Sequence, residues 1–300
     1  MKVDCPGMLA LALALALAGC TDLVDEGGPW QPPEMITGAL APELGPEPAT
    51  LAAPSTLRVA TWNVHFGKDV DTLAANIQAS PNLAAADVLL VQEIEAYPEE
   101  AGSRTQRIAE QLGMTWFYAP ARVEWNGTHG IAILSKYPLA NPLVRELPYI
   151  DQPIKPRARN AQSVEVMIGD RPIRIVNVHL DVRIGPVDRI RQLHPAVAEL
   201  EGAALLGGDF NSNPYAWVDS TIPLAGTEAI VGSDQAIVLD DYFTQQDFAG
   251  ALPSTVGTMR IPVVDIRIDN LYARDYAIEG AGVEHIDGSD HWAVWFDVTL

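Results

Sequence analysis

Six short stretches of this 300-residue chain end in residue types that hold cations, move protons or bind phosphate. They are Trp62-Asn63, Gln92-Glu93, Asn177-Val178-His179-Leu180-Asp181, Gly208-Asp209-Phe210-Asn211-Ser212-Asn213-Pro214, Asp269-Asn270 and Gly288-Ser289-Asp290-His291-Trp292. Carboxylates and amide oxygens are hard donors that suit Mg²⁺, Mn²⁺ or Ca²⁺. The two histidines beside them, His179 and His291, suit proton transfer near neutral pH. Taken singly, each stretch has a plainer reading. An isolated Asn63 or Asn211 is more often a turn residue, and Asp290-His291 alone reads as a surface pair. Glu93, at the end of an apolar run, needs a cation or an ion-pair partner under either reading.

The elements that must position these residues are short strands alternating with helical patterns. Leu57 to Val64, Asp87 to Val91, Ile131 to Leu134, Ser163 to Met167, Ile173 to Val178 and Ala203 to Leu206 read as strands. Continuous apolar runs such as 87–91 predict strands buried on both faces. Asp69 to Ala79 predicts a helix capped by Asp69, and Arg104 to Leu112 a second helix. A stripe of Val187, Ile190, Leu193, Val197 and Leu200 predicts a third, kinked or split at Pro195. The pattern is α/β with mixed or antiparallel sheet. Polar residues gather at the strand ends, where ligands commonly bind in such sheets.

The ordered set resembles the endonuclease/exonuclease/phosphatase superfamily, which includes pancreatic deoxyribonuclease, abasic-site endonucleases, neutral sphingomyelinases and inositol polyphosphate phosphatases. The residues that carry the resemblance are TWNVHFG at 61–67, VQEIE at 91–95, HGIAILSKYPL at 129–139, IVNVHLD at 175–181, GGDFNSNP at 207–214, RIDNLY at 267–272 and GSDHWAV at 288–294. The resemblance spans essentially all of 56–300 and implies a four-layer α/β sandwich, two central β-sheets flanked by helices. It also implies residue roles. Glu93 matches the main metal-binding carboxylate, assisted by Asn63 and Asp290, with Mg²⁺ as the expected ion and Mn²⁺ or Ca²⁺ as alternatives. Asp209 and Asn211 match the pair that orients or deprotonates the attacking water. His179 and His291 match the histidines on the phosphate, and Asp269 the acid that holds one of them in its useful tautomer. The implied activity is hydrolysis of a phosphoric ester, with a diester in nucleic acid or phospholipid as substrate. A catalytically inactive binding protein is the reading from a different class, and the intact residue set speaks against it.

Composition bounds the rest. Acidic residues outnumber basic ones 39 to 19, for a net charge of −20, and within 56–300 the balance is 18 basic against 32 acidic. That excludes a protein coating nucleic acid through general electrostatics, though not one that grips a few phosphates locally. The two cysteines, Cys5 and Cys20, both fall in the first twenty residues, so neither a disulfide framework nor a cysteine zinc site supports the domain. Residues 1–19 read as a signal peptide whose Leu/Ala run from Met8 to Ala18 is too short to span a bilayer. The run closes in Leu17-Ala18-Gly19-Cys20, which resembles a lipobox and implies membrane attachment through a lipidated Cys20 outside the cytoplasm. Residues 20–55, rich in proline and with only acidic charges, read as an extended linker ahead of a 56–300 domain.

Outside the motifs, His65 and His129 read as pocket lining or surface, and His194 and His285 as structural. Lys155, Arg157 and Arg159 read either as a solvated loop or as a grip on substrate phosphate, and Arg183, Arg189 and Arg191 as a solvated helix face. Glu95 stands where pancreatic-type nucleases carry a basic residue, which weakens a duplex-gripping reading. No aromatic-rich hairpin stands out to support membrane insertion. Substrate choice in the family resides in variable loops, which here correspond to 102–126, 149–160 and 244–262. No sequence feature calls for an obligate protein partner.

Overall fold

The computed structural model describes residues 27–217, 234–261 and 264–300. The expected signal peptide, residues 1–19, and Cys20 lie outside the described residues. Among those described, no helix is long and apolar enough to cross a membrane.

Strand β3 (Thr56–Phe66) shows how the sequence builds the sandwich. Side chains alternate along a strand, so Leu57 and Val59 enter the core between the sheets while Ala60, Trp62 and Val64 join the core beneath the helices. An adjacent strand, β4 (Val88–Ala96), divides in the same way, with Val88 and Leu90 facing one core and Leu89 and Val91 the other. Both strands are therefore buried on both faces, as their apolar runs required.

One seven-stranded sheet follows the order β1 (Trp30–Gln31), β7 (Leu139–Glu146), β8 (Asn160–Ile168), β9 (Arg171–His179), β10 (Ala204–Asp209), β14 (Asp269–Arg274) and β11 (Ala249–Gly250). The other runs β15 (Ile278–Glu284), β16 (Ala293–Thr299), β3, β4, β6 (Gly127–Ser135), β5 (Thr115–Glu124) and β2 (Glu43–Leu44). Strands β12 (Met259–Ile261) and β13 (Val264–Ile266) form a separate ribbon. β3 pairs with β4 and β9 with β10 in parallel, which puts the C-terminal ends of all four at one edge of the sandwich. Helices α1 (Val70–Ala79), α2 (Pro81–Ala84) and α3 (Arg104–Leu112) cover the second sheet, and α4 (Pro186–Val197) and α5 (Gln235–Gln245) the first. This is the four-layer α/β sandwich expected.

Local signals placed the helices well. Asp69 caps α1 by accepting the Thr72 amide at 3.1 Å, and Gly113 closes α3 at φ 66°. Pro195 lies in the last turn of α4, which stops at Val197, so Leu200 falls outside the helix that the apolar stripe predicted. The expected free linker requires correction over residues 27–55. Trp30 and Gln31 pair with Arg145 and Val144 on β7, and Glu43 and Leu44 pair with Tyr118 and Phe117 on β5. Proline-rich chain without a core of its own here adds short edge strands to both sheets and packs Trp30 and Ile36, partly buried, against the domain's cores. Residues 102–126, expected as a variable loop, are mostly α3 and β5.

Between the sheets runs a seam of fully buried amides. Gln92 Nε2 donates to Thr61 Oγ1 at 2.9 Å and to Asn177 Oδ1 at 2.8 Å. Asn177 Nδ2 reaches the carbonyls of Val91 (3.1 Å) and Ala132 (2.9 Å) and Gln162 Oε1 (3.1 Å). Removing one partner orphans several buried groups, each costing about 1–3 kcal/mol. Asn177→Ala is therefore expected to lower the unfolding free energy by about 2–4 kcal/mol in urea denaturation. A loss under about 1 kcal/mol would show that the seam does not hold the sheets in register.

Candidate active site

The amide seam continues directly into the site. Asn63 lies two residues beyond Thr61, His179 two beyond Asn177, and Glu93 one beyond Gln92. Just past the seam both ladders slip, β3–β4 between Asn63 and Phe66 and β4–β6 between Val91 and Ile94. His65, Phe66 and Glu93 take positive φ at 46°, 72° and 55°. Such left-handed backbone at non-glycine residues costs energy and persists where its surroundings enforce it. At Glu93 it turns the side chain out of the ladder toward the site, where Oε1 lies 3.8 Å from His179 Nε2.

On the other sheet, Gly208 precedes Asp209 at φ 144°, and a Cβ there would sit 1.9 Å from the Val178 carbonyl. Only glycine lets β10 approach β9 this closely. Asp209 Oδ1 accepts the Asn211 amide at 2.9 Å, and Oδ2 accepts Asn63 Nδ2 at 2.9 Å. Oδ2 also lies 3.4 Å from His179 Nε2 and 4.0 Å from His291 Nε2. Asn211, itself at φ 52°, ties its amide to the Leu180 carbonyl at 2.9 Å. Burial, reinforced by the carboxylate of Asp269, raises the Asp209 pKa to about 7, against the opposing pull of His291 and Asn63.

The two histidines are held in opposite charge states. Burial works against a proton on His291, but the Asp269 and Asp209 carboxylates outweigh it and raise its pKa to about 10. Nδ1 lies 3.0 Å from Asp269 Oδ2, and Asp269 Oδ2 also accepts Thr258 Oγ1 at 2.8 Å. Burial lowers the His179 pKa well below its usual value, and the Arg159 cation adds to this. Arg159 Nη1 lies 3.0 Å from Nδ1 and 3.1 Å from Nε2. A guanidinium can only donate, so it keeps the ring neutral. Nε2 also faces the oxygens of Asp209 and Glu93.

Seven of the eight predicted residues thus converge: Asn63, Glu93, His179, Asp209, Asn211, Asp269 and His291. Asp290 stands at the rim, half-exposed, with Oδ1 3.1 Å from His65 Nδ1. Asp209, Asp269 and His291 present ligand atoms within 4.8 Å of one another, a donor set that could hold a cation. Asp269 already accepts from His291 and Thr258, however, which fits this trio better to handling a proton or a phosphate oxygen. Glu93 and the Asn63 amide oxygen, expected with Asp290 as metal ligands, are hard oxygen donors of the kind a divalent ion takes.

Several supporting residues lay outside the motif reading. Arg159, placed in the basic loop, is 7% exposed and bridges His179 to Asp181, whose Oδ1 accepts its Nε at 3.1 Å. Arg189, read as a solvated helix face, is fully buried. Its guanidinium donates to Phe210 O at 2.8 Å, Ile184 O at 2.8 Å and Asp181 O at 2.5 Å, tying together the loops after β9 and β10. Thr258 had no signal in the sequence, because its partner Asp269 is reached across the β12–β13 ribbon. A hairpin tip with Trp125 88% exposed and Val123 55% exposed also escaped the sequence reading.

The charge on His291 sets a pH dependence. A folded-state pKa raised above the unfolded 6.5 contributes stability that is complete below about pH 6.5 and lost as pH rises through about 10. Asp209, raised from 3.8 to about 7, likewise loses its contribution as pH rises, but earlier. Between about pH 7.5 and 10 the unfolding free energy should therefore decline with His291 as its main source, and Asp269→Asn should flatten that decline. A proton-NMR titration placing His291 near its usual value in the wild type would refute the imidazolium assignment.

Residues 60–291 match the profile of the Endonuclease/Exonuclease/phosphatase family. Among solved structures, an endonuclease/exonuclease/phosphatase family protein from Leptotrichia buccalis C-1013-b is 12% identical with a TM-score of 0.61, over 81% of this chain and 100% of that one. A functionally unknown conserved protein from Enterococcus faecalis V583 is 19% identical with a TM-score of 0.57, covering 81% and 99%. The human Nocturnin catalytic domain, with bound sulfate, is 17% identical with a TM-score of 0.56, covering 82% and 93%. At these identities the likeness is one of fold. No curated protein matches the chain. The family profile extends over more than two thirds of the sequence and takes in every residue of the site, and the chain belongs to the endonuclease/exonuclease/phosphatase family.

Proposed function

We propose that the protein is an exported, divalent-metal-dependent phosphoric ester hydrolase that cleaves phosphodiesters, with nucleic acid as the leading substrate. The supporting observation is the convergence of a carboxylate of raised pKa, Asp209, with one protonated and one neutral imidazole around a single point. Attack on a phosphodiester needs a base for the incoming water and positive charge for the oxygens that gain electron density. Asp209, held by Asn63 and the Asn211 amide, takes the water proton. His291, charged and fixed through Nδ1 by Asp269, donates from Nε2 to a phosphoryl oxygen. His179, kept neutral by burial and by Arg159, turns Nε2 toward the Asp209 and Glu93 oxygens, beside the reacting phosphate. Glu93, Asn63 and Asp290 would hold the divalent ion, which when bound supplies Lewis-acid stabilisation of the developing charge.

A phospholipid phosphodiesterase is the second reading, and the exposed Trp125 at the β5–β6 hairpin tip favours it. An amphipathic ring of this kind suits a membrane interface. The Leu17-Ala18-Gly19-Cys20 sequence supports lipid attachment outside the cytoplasm. Blocking lipoprotein signal peptidase with a globomycin-type inhibitor should then make an unprocessed precursor accumulate, and normal processing would refute the attachment.

The purified protein should nick plasmid DNA in Mg²⁺ but not in EDTA, with phospholipid vesicles in parallel to separate the two readings. Asp209→Asn should lower kcat by roughly 10²–10⁴-fold. Glu93→Gln should weaken thermal stabilisation by Mg²⁺. Absence of EDTA-sensitive turnover of either substrate would count against the hydrolase.

A further inference from the structure

The N-terminal chain joins the domain at a place that fixes which way the domain can face. Trp30 and Gln31 pair with Arg145 and Val144 near the C-terminal end of β7, and Glu146 at that end pairs with Asn160, the first residue of β8. The next residue, Ala161, pairs with Val178 beside His179. Followed backwards from Trp30, the chain therefore reaches Gly27 at the active-site edge of the sandwich. A Cβ on Gly27 would meet the Glu146 carbonyl at 2.7 Å, Pro195 at 3.2 Å and Pro148 at 3.3 Å. Only six residues separate Gly27 from Cys20. Such a span reaches at most about 25 Å. A domain of this size, with a radius of gyration of about 18 Å, is about 45 Å across. A tether that short cannot pass round the domain to its opposite edge.

The same edge carries most of the exposed apolar side chains. Of ten large ones among the described residues, six stand on three loops there. Val123 and Trp125 lie at the β5–β6 hairpin tip, where Thr128 pairs with Ala96, the last residue of β4. Tyr149 and Ile154 lie between β7 and β8, and Val182 and Val187 between β9 and the first turn of α4. The loops adjoin. Arg157 Nη1 donates to Glu124 Oε2 at 3.2 Å, joining the second loop to the hairpin, and Gln192 Nε2 donates to the Pro148 carbonyl at 3.2 Å, joining it to α4. Residues 121–128, 147–159 and 181–188 hold five cations and four carboxylates, whereas 56–300 as a whole holds 18 against 32. An acidic domain thus presents a nearly neutral, apolar edge on the side from which its N-terminus leaves. Exposed apolar groups gathered in one place mark a binding surface, and Trp and Tyr are the side chains that settle at a membrane interface.

We propose that this edge is a membrane-docking surface, which the lipid on Cys20 and the three loops hold against the bilayer together, with Trp125, Tyr149 and Ile154 seated among the headgroups. It goes beyond the hydrolase reading and rests on the attachment of Cys20. A lipid chain alone gives reversible binding, and a second hold makes it stable. A phosphodiester at the lipid surface is then within reach of His179 and Asp209. A nucleic-acid strand has to enter from the other side, past the half-exposed rim of His65 and Asp290. The hold is apolar, so salt does not release it.

Residues 21–300 contain no cysteine, so one introduced thiol can carry an environment-sensitive nitrobenzoxadiazole dye. The lipid-attached protein is placed in phosphatidylcholine vesicles with the dye at Asn126→Cys or Pro153→Cys. Nitroxide-bearing phosphatidylcholine should quench either dye roughly twofold or more, and the dye at Asp170→Cys, in the β8–β9 turn at the opposite edge, should not be quenched. Screening by about 1 M NaCl should leave the quenching in place. Adding Trp125→Ser and Ile154→Ser to Asn126→Cys should remove at least half of it. Dyes at 126 and 153 no more quenched than the dye at 170, quenching lost in salt, or quenching unaffected by the two serines overturns the docking surface. Mass spectrometry separates this from the attachment. If Cys20 carries no acyl group, the attachment reading fails by itself. The same dyes are then read on protein held to nickel-chelating vesicles by a hexahistidine tag in place of residues 1–20. Quenching at 126 and 153 there sustains the surface, and its absence overturns it.

Discussion

The site depends on one amide. Asn177, buried between the sheets, bonds to Gln92 and to the Val91 carbonyl on β4, to the Ala132 carbonyl on β6 and to Gln162 on β8. Apolar packing alone tolerates small slides between two sheets, because dispersion contacts are weak singly and non-directional. A buried amide whose donors and acceptor are all engaged does not, since any slide strands several polar groups at once. The residues one or two positions further along the same strands are Asn63, Glu93 and His179. The hydrogen bond from Asn63 on one sheet to Asp209 on the other is possible because the sheets have already been registered a few ångströms below.

Electrostatics then differentiate groups that are chemically alike. His179 and His291 are both buried, and both lie within 4 Å of Asp209 Oδ2. A carboxylate behind His291 keeps it protonated, and a guanidinium behind His179 keeps it neutral. Asp209 and Asp269 divide in the same way: Asp269 is engaged by His291 and Thr258, and Asp209 by the weaker donors Asn63 and the Asn211 amide. Two pairs of identical side chains thus become four different groups, a separation by environment that supports acid and base work in one place.

Much of this was legible in the sequence, for reasons that can be stated. Strands such as β3 and β4 announced themselves because burial on both faces demands continuous apolar residues. The residues at their ends announced themselves because carboxylate, amide and imidazole serve little purpose at the end of a buried strand without chemistry to do. What stayed hidden was set by long-range partners. Arg159 looks like its solvated neighbours Lys155 and Arg157 until β8 carries it against β9, and Arg189 looks like a helix-face cation until the β10 loop closes over it. Residues 27–55 have the composition of a spacer, and their short pairings with β5 and β7 depend on edges that only the folded sheets create. Trp125 is one aromatic in a polar turn, and its exposure is a property of the hairpin.

The acidity of the domain and the Arg159 guanidinium held against His179 are compatible because the two act over different distances. At an ionic strength near 0.15 M charges are screened beyond about 8 Å, so most of the 32 acidic residues between 56 and 300 are not felt at His179. They are felt by a long polyanion trying to lie along the surface. Affinity that comes from one or two phosphates releases few counterions, and its salt dependence is correspondingly shallow. Glu95 belongs to the same design. It neighbours the site, but Arg104 at 3.0 Å and Tyr97 at 3.0 Å engage its carboxylate. Its carboxylate therefore ties β4 to α3 through Arg104, and the position offers no cation to a nucleic-acid strand.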